Sequence, residues 1–172
     1  MADGLAPRDV AALLRAAGAQ IAAEVGAMPE AVARYHPADG EWCAKEVVGH
    51  LIEAERRGFA GRVRTLLAED RPTFVRWDQN EVARRRGDCE RLTLELLAEF
   101  VSLRDESVDL VAELEPADLP RRGDHPAVGV LAIGDLLAEW VHHDRNHIRQ
   151  IHANVQAFVW PQMGNAQKFS RP

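Results

Sequence analysis

The residues best suited to chemistry form a histidine-rich segment, His142-His143-Asp144-Arg145-Asn146-His147. Apolar residues recur around it at helical spacing, which predicts a helix over about residues 132–158. On a wheel of about 100° per residue, His143 and His147 lie one turn apart at the edge of the apolar stripe, and His142 faces solvent. Asp144 falls inside the stripe. Two histidines at i and i+4 can share one divalent metal ion.

A third ligand must come from another helix, because two protein ligands rarely complete a metal site. His50 flanks the apolar side of a second predicted helix, whereas His36 and His125 precede prolines in loops and His152 points away from His147. Three histidines with an open position are typical of a catalytic site, since structural zinc sites normally have four protein ligands. We therefore predict a metal site at His50, His143 and His147.

The positions of these residues can also be explained without a metal ion. The histidines can be hydrogen-bonded residues of a helical core, and Asp144 can pair with Arg57 or Arg64 across the bundle. A zinc-peptidase interpretation is disfavoured, because Asp144 stands where those enzymes have a glutamate base. Cys43, near a predicted helix start, has no partner identifiable in the sequence and is predicted to be an inert thiol.

Four long amphipathic helices must position these side chains. Their predicted spans are about 8–35, 43–69, 89–114 and 132–158, with long connections over 71–88 and 115–131. Gly26 and Pro29 predict a break or kink of the first helix near Met28, and the 71–88 connection is expected to hold one short turn of helix. No strand pattern is convincing, and the segment 121–126 is predicted to be loop. The sequence predicts an all-α four-helix bundle, in a single domain over 1–172 with its core at about 8–158 and a polar tail over 159–172.

Composition limits the classes of partner. The 172 residues carry 21 basic and 27 acidic side chains, a formal net charge of −6 at pH 7. This balance argues against binding to nucleic acid or to an anionic membrane surface. No apolar run approaches the roughly 20 residues of a membrane span, and no signal peptide is visible. Two cysteines without a CxxC pair fit a reducing compartment, so the expected setting is cytoplasmic.

Several motifs resemble those of the DinB-like (DinB/YfiT) four-helix bundles over about residues 8–158. Glu41-Trp42 and His50-Leu51-Ile52-Glu53-Ala54-Glu55 look like the second-helix motif of that family. The segment from His143 to Ile151 looks like its final metal motif, and Asp124-His125-Pro126 resembles the approach to that helix. The resemblance implies a triad of His50, His143 and His147 that holds zinc, nickel or iron. It also implies transferase or isomerase relatives that use thiols such as bacillithiol or mycothiol, and a possible homodimer.

The leading hypothesis is a metal-dependent thiol S-transferase acting on a small molecule. The metal would bind a low-molecular-weight thiol at its open position and lower the pKa of that thiol. Asp144 or Glu53 is the candidate orienter or base. Metal-assisted hydrolysis is the second hypothesis, in which the open position holds water. A non-catalytic metal- or ligand-binding bundle, and an empty triad, are the remaining ones.

Overall fold

The computed structural model describes residues 4–170, so residues 1–3 and 171–172 of the predicted domain lie outside the described part. These described residues form seven α-helices and two short strands. Their bounds are α1 Pro7–Gly26, α2 Glu30–Ala33, α3 Ala44–Glu53, α4 Ala60–Ala68, α5 Gln79–Arg86, α6 Thr93–Ala112, β1 Arg122–His125, β2 Gly129–Ala132 and α7 Ile133–Val159. Short turns of other helix types lie at Ala54–Gly58 (π), Asp88–Glu90 and Trp160–Phe169 (both 3₁₀).

Four long helical segments form the bundle, which confirms the predicted fold class. They are α1, the run from α3 through the π-turn to α4, then α6, then α7. The first predicted helix is broken near Met28, as Gly26 and Pro29 predict, because α1 ends at Gly26 and Pro29 precedes the separate one-turn helix α2. A proline cannot continue an α-helix, since it has no backbone N–H to donate.

The prediction that the chain has no strands is wrong. β1 and β2 form an antiparallel hairpin, with Arg122 opposite Ala132 and His125 opposite Gly129. Gly129 closes the turn with a φ of 82°, which favours glycine. The strands have only four residues each, too few for an alternating pattern to stand out in the sequence.

The hairpin packs against the other long connection. Phe74 donates its backbone N–H to the Asp124 carbonyl at 2.9 Å, and the Asp124 N–H donates to the Pro72 carbonyl at 2.8 Å. Gly123 permits this approach, because a Cβ there would lie 2.7 Å from the Pro72 oxygen. The two long connections thus form one wall beside the bundle.

A buried polar layer divides the apolar core into two clusters. The first cluster contains Trp140 of α7 and Val108 of α6. The second cluster contains Ile148 of α7 and Phe100 of α6. Arg104 and Asp144 lie between these positions. In the part of the chain that the structure describes, none of the helices is both long enough and apolar enough to cross a membrane.

Candidate metal centre

His50, His143 and His147 converge at the centre of the bundle. The Nε2 atom of His143 lies 2.9 Å from Nε2 of His50 and 3.2 Å from Nε2 of His147. His50 stands on α3, and the other two stand one turn apart on α7, as the wheel predicts. His142 is exposed and takes no part. The structure therefore brings together the three predicted ligand residues.

The hydrogen bonds of the three rings show how these nitrogens are oriented. Nδ1 of His147 lies 2.8 Å from Oε1 of Gln150, so Nδ1 donates and Nε2 keeps its lone pair. Nδ1 of His50 and Nδ1 of His143 are buried without a hydrogen-bond partner among residues 4–170. The three Nε2 atoms can form only some of the hydrogen bonds they need with one another, because each protonated nitrogen has a single proton to donate. A divalent cation can accept a lone pair from each of the three nitrogens, so the three imidazoles are suitable ligands for a metal ion.

Burial keeps these imidazoles neutral. Desolvation, and then the repulsion that His50 and His147 would feel if both were protonated, lowers the pKa of His50 to about 3. Desolvation and the neighbouring histidines lower the pKa of His143 to about 2. The pKa of His147 is also lowered by burial, against the opposing effects of Gln150 and Asp144. Neutral imidazole is the form that binds a metal ion.

Aromatic rings pack around the triad. Trp42 and Trp77 flank the His50 ring, with centroids 5.0 Å and 6.0 Å away. Phe59 meets the His143 ring edge-on at 5.1 Å. Phe59 follows the π-turn, where its N–H donates to the Ala54 carbonyl at 2.7 Å, one residue farther back than in an α-helix. Such turns shift the side chains that follow, and they are frequent at functional sites.

The partner of Asp144 is Arg104, rather than Arg57 or Arg64 as the metal-free reading suggested. Both Asp144 oxygens accept from the Arg104 guanidinium, at 2.5 and 3.0 Å, and the residue is fully buried. Glu55 accepts from the same guanidinium at 2.6 and 3.0 Å, and burial raises the pKa of Glu55. Arg104 also donates to the Leu14 carbonyl at 3.0 Å.

Glu53, the other predicted catalytic carboxylate, lies in a second ion-pair network. Its Oε1 accepts from Arg86 at 2.8 Å, and its Oε2 lies 2.5 Å from Arg57. Neither Glu53 nor Asp144 lines the cavity beside the triad. The structure thus places both predicted catalytic carboxylates in buried ion pairs on the helices that bear the histidines.

A cavity of about 880 Å³ opens beside His50 and His143. Its wall includes the carboxylate residue Glu139, which is exposed and stands one helical turn before His143. The sequence analysis missed Glu139, although the signal was present, because residues four apart on a helix share one face. Glu139 lines the cavity that opens beside the triad, whereas the two carboxylates chosen from the motif do not.

The cavity wall also carries a cationic side chain, Arg62. Arg62 is half-buried, and its Nη2 lies 3.3 Å from Nε2 of His125. Desolvation lowers the pKa of Arg62, and no ion pair joins it to a carboxylate among residues 4–170. Arg62 is therefore a cationic side chain in the cavity wall that is available to an anionic group.

Cys43 has the partner that the sequence could not identify. Its Sγ lies 3.2 Å from Sγ of Cys89, and both cysteines are free. Burial raises the pKa of Cys43, and the Cys89 thiol adds to this effect. A raised pKa supports the prediction that Cys43 is not an activated nucleophile.

Three comparisons relate the chain to known proteins. A protein of Oceanobacillus iheyensis named "Putative metal-dependent hydrolase" is 24% identical over 122 residues, which cover 70% of this chain and 69% of that protein. A protein of Bacillus mycoides with the same description is 25% identical over 121 residues, with the same coverage of both chains.

The fold is similar to that of YfiT from Bacillus subtilis, described as "a probable metal-dependent hydrolase with an unusual four-helix bundle topology". The TM-score is 0.80 at 20% identity, covering 88% of this chain and 87% of YfiT. The family model described as the DinB superfamily matches residues 13–151, which is most of the chain. The resemblance seen in the sequence is confirmed: the chain belongs to the DinB superfamily.

Proposed function

We propose that the protein is a metal-dependent hydrolase whose metal ligands are His50, His143 and His147. The observation that carries the proposal is the meeting of three neutral Nε2 atoms at the edge of an open cavity. A divalent ion with three imidazole ligands and an open position acts as a Lewis acid and lowers the pKa of water to about 7. The names of the two bacterial relatives agree with this assignment.

Side chains of the protein carry out proton transfer and position the metal ligands. Glu139 lines the cavity one turn before His143, where its carboxylate accepts the proton of the attacking water and returns it to the leaving group. Asp144 and Glu53 are positioning residues in this proposal. Asp144, through Arg104, fixes the rotation of α7, and Glu53 anchors the C-terminal end of α3.

The proposed substrate is a small molecule with an anionic group. Arg62 and His125 lie on the cavity wall and offer a guanidinium without a carboxylate partner among the described residues. A guanidinium binds a carboxylate or a phosphate through charge-assisted hydrogen bonds. The substrate would then bind with its anionic end at Arg62 and its scissile bond toward the histidines.

Thiol S-transfer is the second candidate, and the size of the cavity favours it. At about 880 Å³ the cavity has room for a low-molecular-weight thiol, of the bacillithiol or mycothiol kind, beside an acceptor molecule. The two candidates differ in one requirement, because only S-transfer needs an added thiol for turnover. The cytoplasmic setting and a homodimer also stay proposals, which rest on the sequence and on the resemblance.

The test compares the metal content and hydrolysis of the full-length protein with those of His143→Ala. His152→Ala is the matched control, since His152 is on the same helix and outside the triad. We expect His143→Ala to lose one equivalent of zinc, nickel or iron per chain, and with it the hydrolysis of carboxylate-bearing esters and amides. The control keeps both.

Two results would contradict the proposal. Hydrolysis that survives in His147→Ala would remove the metal from the reaction. Turnover that begins only when a thiol is added would replace hydrolysis by S-transfer, with the same three ligands.

A further inference from the structure

A second cluster of metal-ligand side chains lies apart from the histidine triad. It consists of His36, Cys43 and Cys89, whose donor atoms all lie within 4.8 Å of one another. The two Sγ atoms are 3.2 Å apart, and Sγ of Cys89 lies 3.6 Å from Nε2 of His36. His36 and Cys43 lie in the connection between α2 and α3, and Cys89 comes from the 3₁₀ turn after α5, so the fold brings Cys89 to the other two.

Both sulfur atoms are held by the backbone. Cys43 is fully buried at the start of α3, where its N–H donates to Oε2 of Glu46 at 2.9 Å. Cys89 lies in the 3₁₀ turn that follows Gly87, whose φ of 60° ends α5 and reverses the chain. The preceding Asp88 is buried in ion pairs with Arg86 and Arg91. The cysteines therefore face each other without any need for their segments to move.

His36 directs its second nitrogen toward the sulfurs. Its Nδ1 lies 2.7 Å from the carbonyl oxygen of Glu41, and a carbonyl can only accept, so Nδ1 carries the proton. Nε2 then presents its lone pair on the side of Cys89. Metal-binding histidines are commonly oriented in this way, with the other ring nitrogen donating to a backbone carbonyl.

We propose that His36, Cys43 and Cys89 bind a zinc ion. Two sulfurs and one imidazole are a ligand set that zinc prefers. With Zn–S bonds of about 2.3 Å and Zn–N bonds of about 2.0–2.1 Å, a tetrahedral site separates the sulfurs by about 3.8 Å and sulfur from nitrogen by about 3.5 Å. The cluster needs only small shifts to reach these values. Two thiol protons pass to solvent as the ion binds, and water completes the site beside the half-exposed His36.

This ion would join the start of α3 to the turn after α5. The helix α5 and the residues before it carry Trp77, Gln79 and Asn80, which line the cavity beside the triad. Cys43 precedes His50 by seven residues, which is about 10 Å along a helix axis. The proposed zinc site is therefore separate from the triad, and it joins the start of the helix that bears His50 to the turn after the helix that bears part of the cavity wall.

Cobalt distinguishes the two sites in the full-length, reduced protein. Thiolate ligands give Co²⁺ a sulfur-to-metal charge-transfer band in the near ultraviolet, and the triad has no sulfur. We expect the unaltered protein to bind two equivalents of Co²⁺ and to show this band. Cys89→Ser should bind one equivalent without the band, and the matched control His143→Ala should bind one equivalent with the band retained. Zn²⁺ added afterwards should displace the cobalt and abolish the band.

Two outcomes would overturn the proposal. One is the absence of the band in a protein whose two thiols are shown by titration to be free. The other is a protein mass that is two hydrogens lower than the mass of the reduced chain and that a reductant restores, together with no cobalt binding at the cysteines after reduction. The pair would then be a disulfide. Either result leaves the triad and the proposed hydrolysis untouched, because Cys89→Ser keeps the triad and reports on its metal binding separately.

Discussion

The three imidazoles of the triad are held in different ways. Gln150 fixes the His147 ring by a hydrogen bond to Nδ1. His50 and His143 have no such partner at Nδ1 among the described residues, and packing against aromatic rings holds them instead. Their orientation therefore depends on van der Waals contact, and it is sensitive to the size of the neighbouring side chains.

The buried histidines make the stability of the metal-free protein depend on pH. The pKa values of His50 and His143 are lowered to about 3 and about 2, whereas an unfolded histidine titrates near 6.5. Between these values the unfolded chain binds more protons than the folded chain, so the free energy of unfolding decreases as the pH falls below about 6.5. The decrease is at most about 1.4 kcal/mol per pH unit for each histidine, and none is expected above pH 7.

Urea unfolding of the metal-free protein at pH 7.5, 6.0 and 5.0 measures this dependence. This range ends above the ordinary pKa of carboxylates, which keeps their contribution small. The variant His143→Gln should show a smaller decrease than the unaltered protein. An equal decrease in both would mean that His143 titrates normally in the folded state.

Glu139 is the residue that we expect to handle protons in the reaction. Glu139→Gln should lower kcat about 10²- to 10³-fold and remove the acidic limb of the pH profile, because an amide cannot accept a proton. The metal content should not change, since Glu139 is not in the triad. Glu113→Gln, an exposed substitution outside the cavity, is the control. Full activity in Glu139→Gln would assign the proton transfer to another group.

At the scale of elements, α3 is fitted closely against the 3₁₀ turn that follows α5. Gly49 makes this fit possible, because a Cβ there would lie 1.8 Å from Oδ2 of Asp88. The Asp88 carboxylate is buried and accepts from Arg86 and Arg91, so it cannot turn aside without losing both ion pairs. The glycine beside His50 thus accommodates a carboxylate from another segment.

We expect Gly49→Ala to destabilise the protein by about 1–3 kcal/mol, as overpacking of a filled site usually does. It should also weaken metal binding, because α3 must shift and His50 lies next in the chain. The matched control is Gly26→Ala at the end of α1, where the added Cβ meets only the Leu97 side chain at 3.5 Å. Thermal unfolding and metal titration of both variants check this. Equal stability of the two variants would show that the turn yields easily.

The sequence predicts the helices and the triad well for the same reason. Helical periodicity places apolar and polar residues on definite faces. The angular positions of His143 and His147 around the helix axis are enough to bring them to the side of α7 that meets α3. Contacts between elements do not follow from this periodicity. The Asp144–Arg104 pair depends on the rotation and axial position of two helices, and the Cys43–Cys89 contact joins segments without periodicity. No spacing rule along the chain contains that information.

At the scale of the whole molecule, one guanidinium connects all four helical segments. Arg104 on α6 binds Glu55 in the π-turn, Asp144 on α7 and the Leu14 carbonyl on α1. The layer lies at the level of the triad, because Asp144 adjoins His143. A displacement of any helix along its axis would separate charges that are almost completely buried.

Replacing this arginine should therefore be costly. Arg104→Met leaves two buried carboxylates without a cation, and the expected loss is about 3–5 kcal/mol in the free energy of unfolding. Arg64→Met is the matched control, because the exposed Arg64–Glu106 pair at 3.8 Å contributes at most about 1 kcal/mol. Denaturant unfolding compares the two variants. If they are equally stable, the layer does not hold the helices together.

The arginine layer also determines which parts of the molecule can move during a reaction cycle. Sliding of one helix past another is a common way for bundles to open a site, but here it would separate the buried ion pairs of the layer. We therefore expect the bundle to stay a fixed frame during the proposed reaction. In the proposed reaction, the motion that admits a substrate and releases a product would belong to the connection that bears Trp77 and to the β1–β2 hairpin, which both line the cavity. The speed of the enzyme would then be limited by two surface segments, and variation in their sequences would change the choice of substrate while the metal site stays the same.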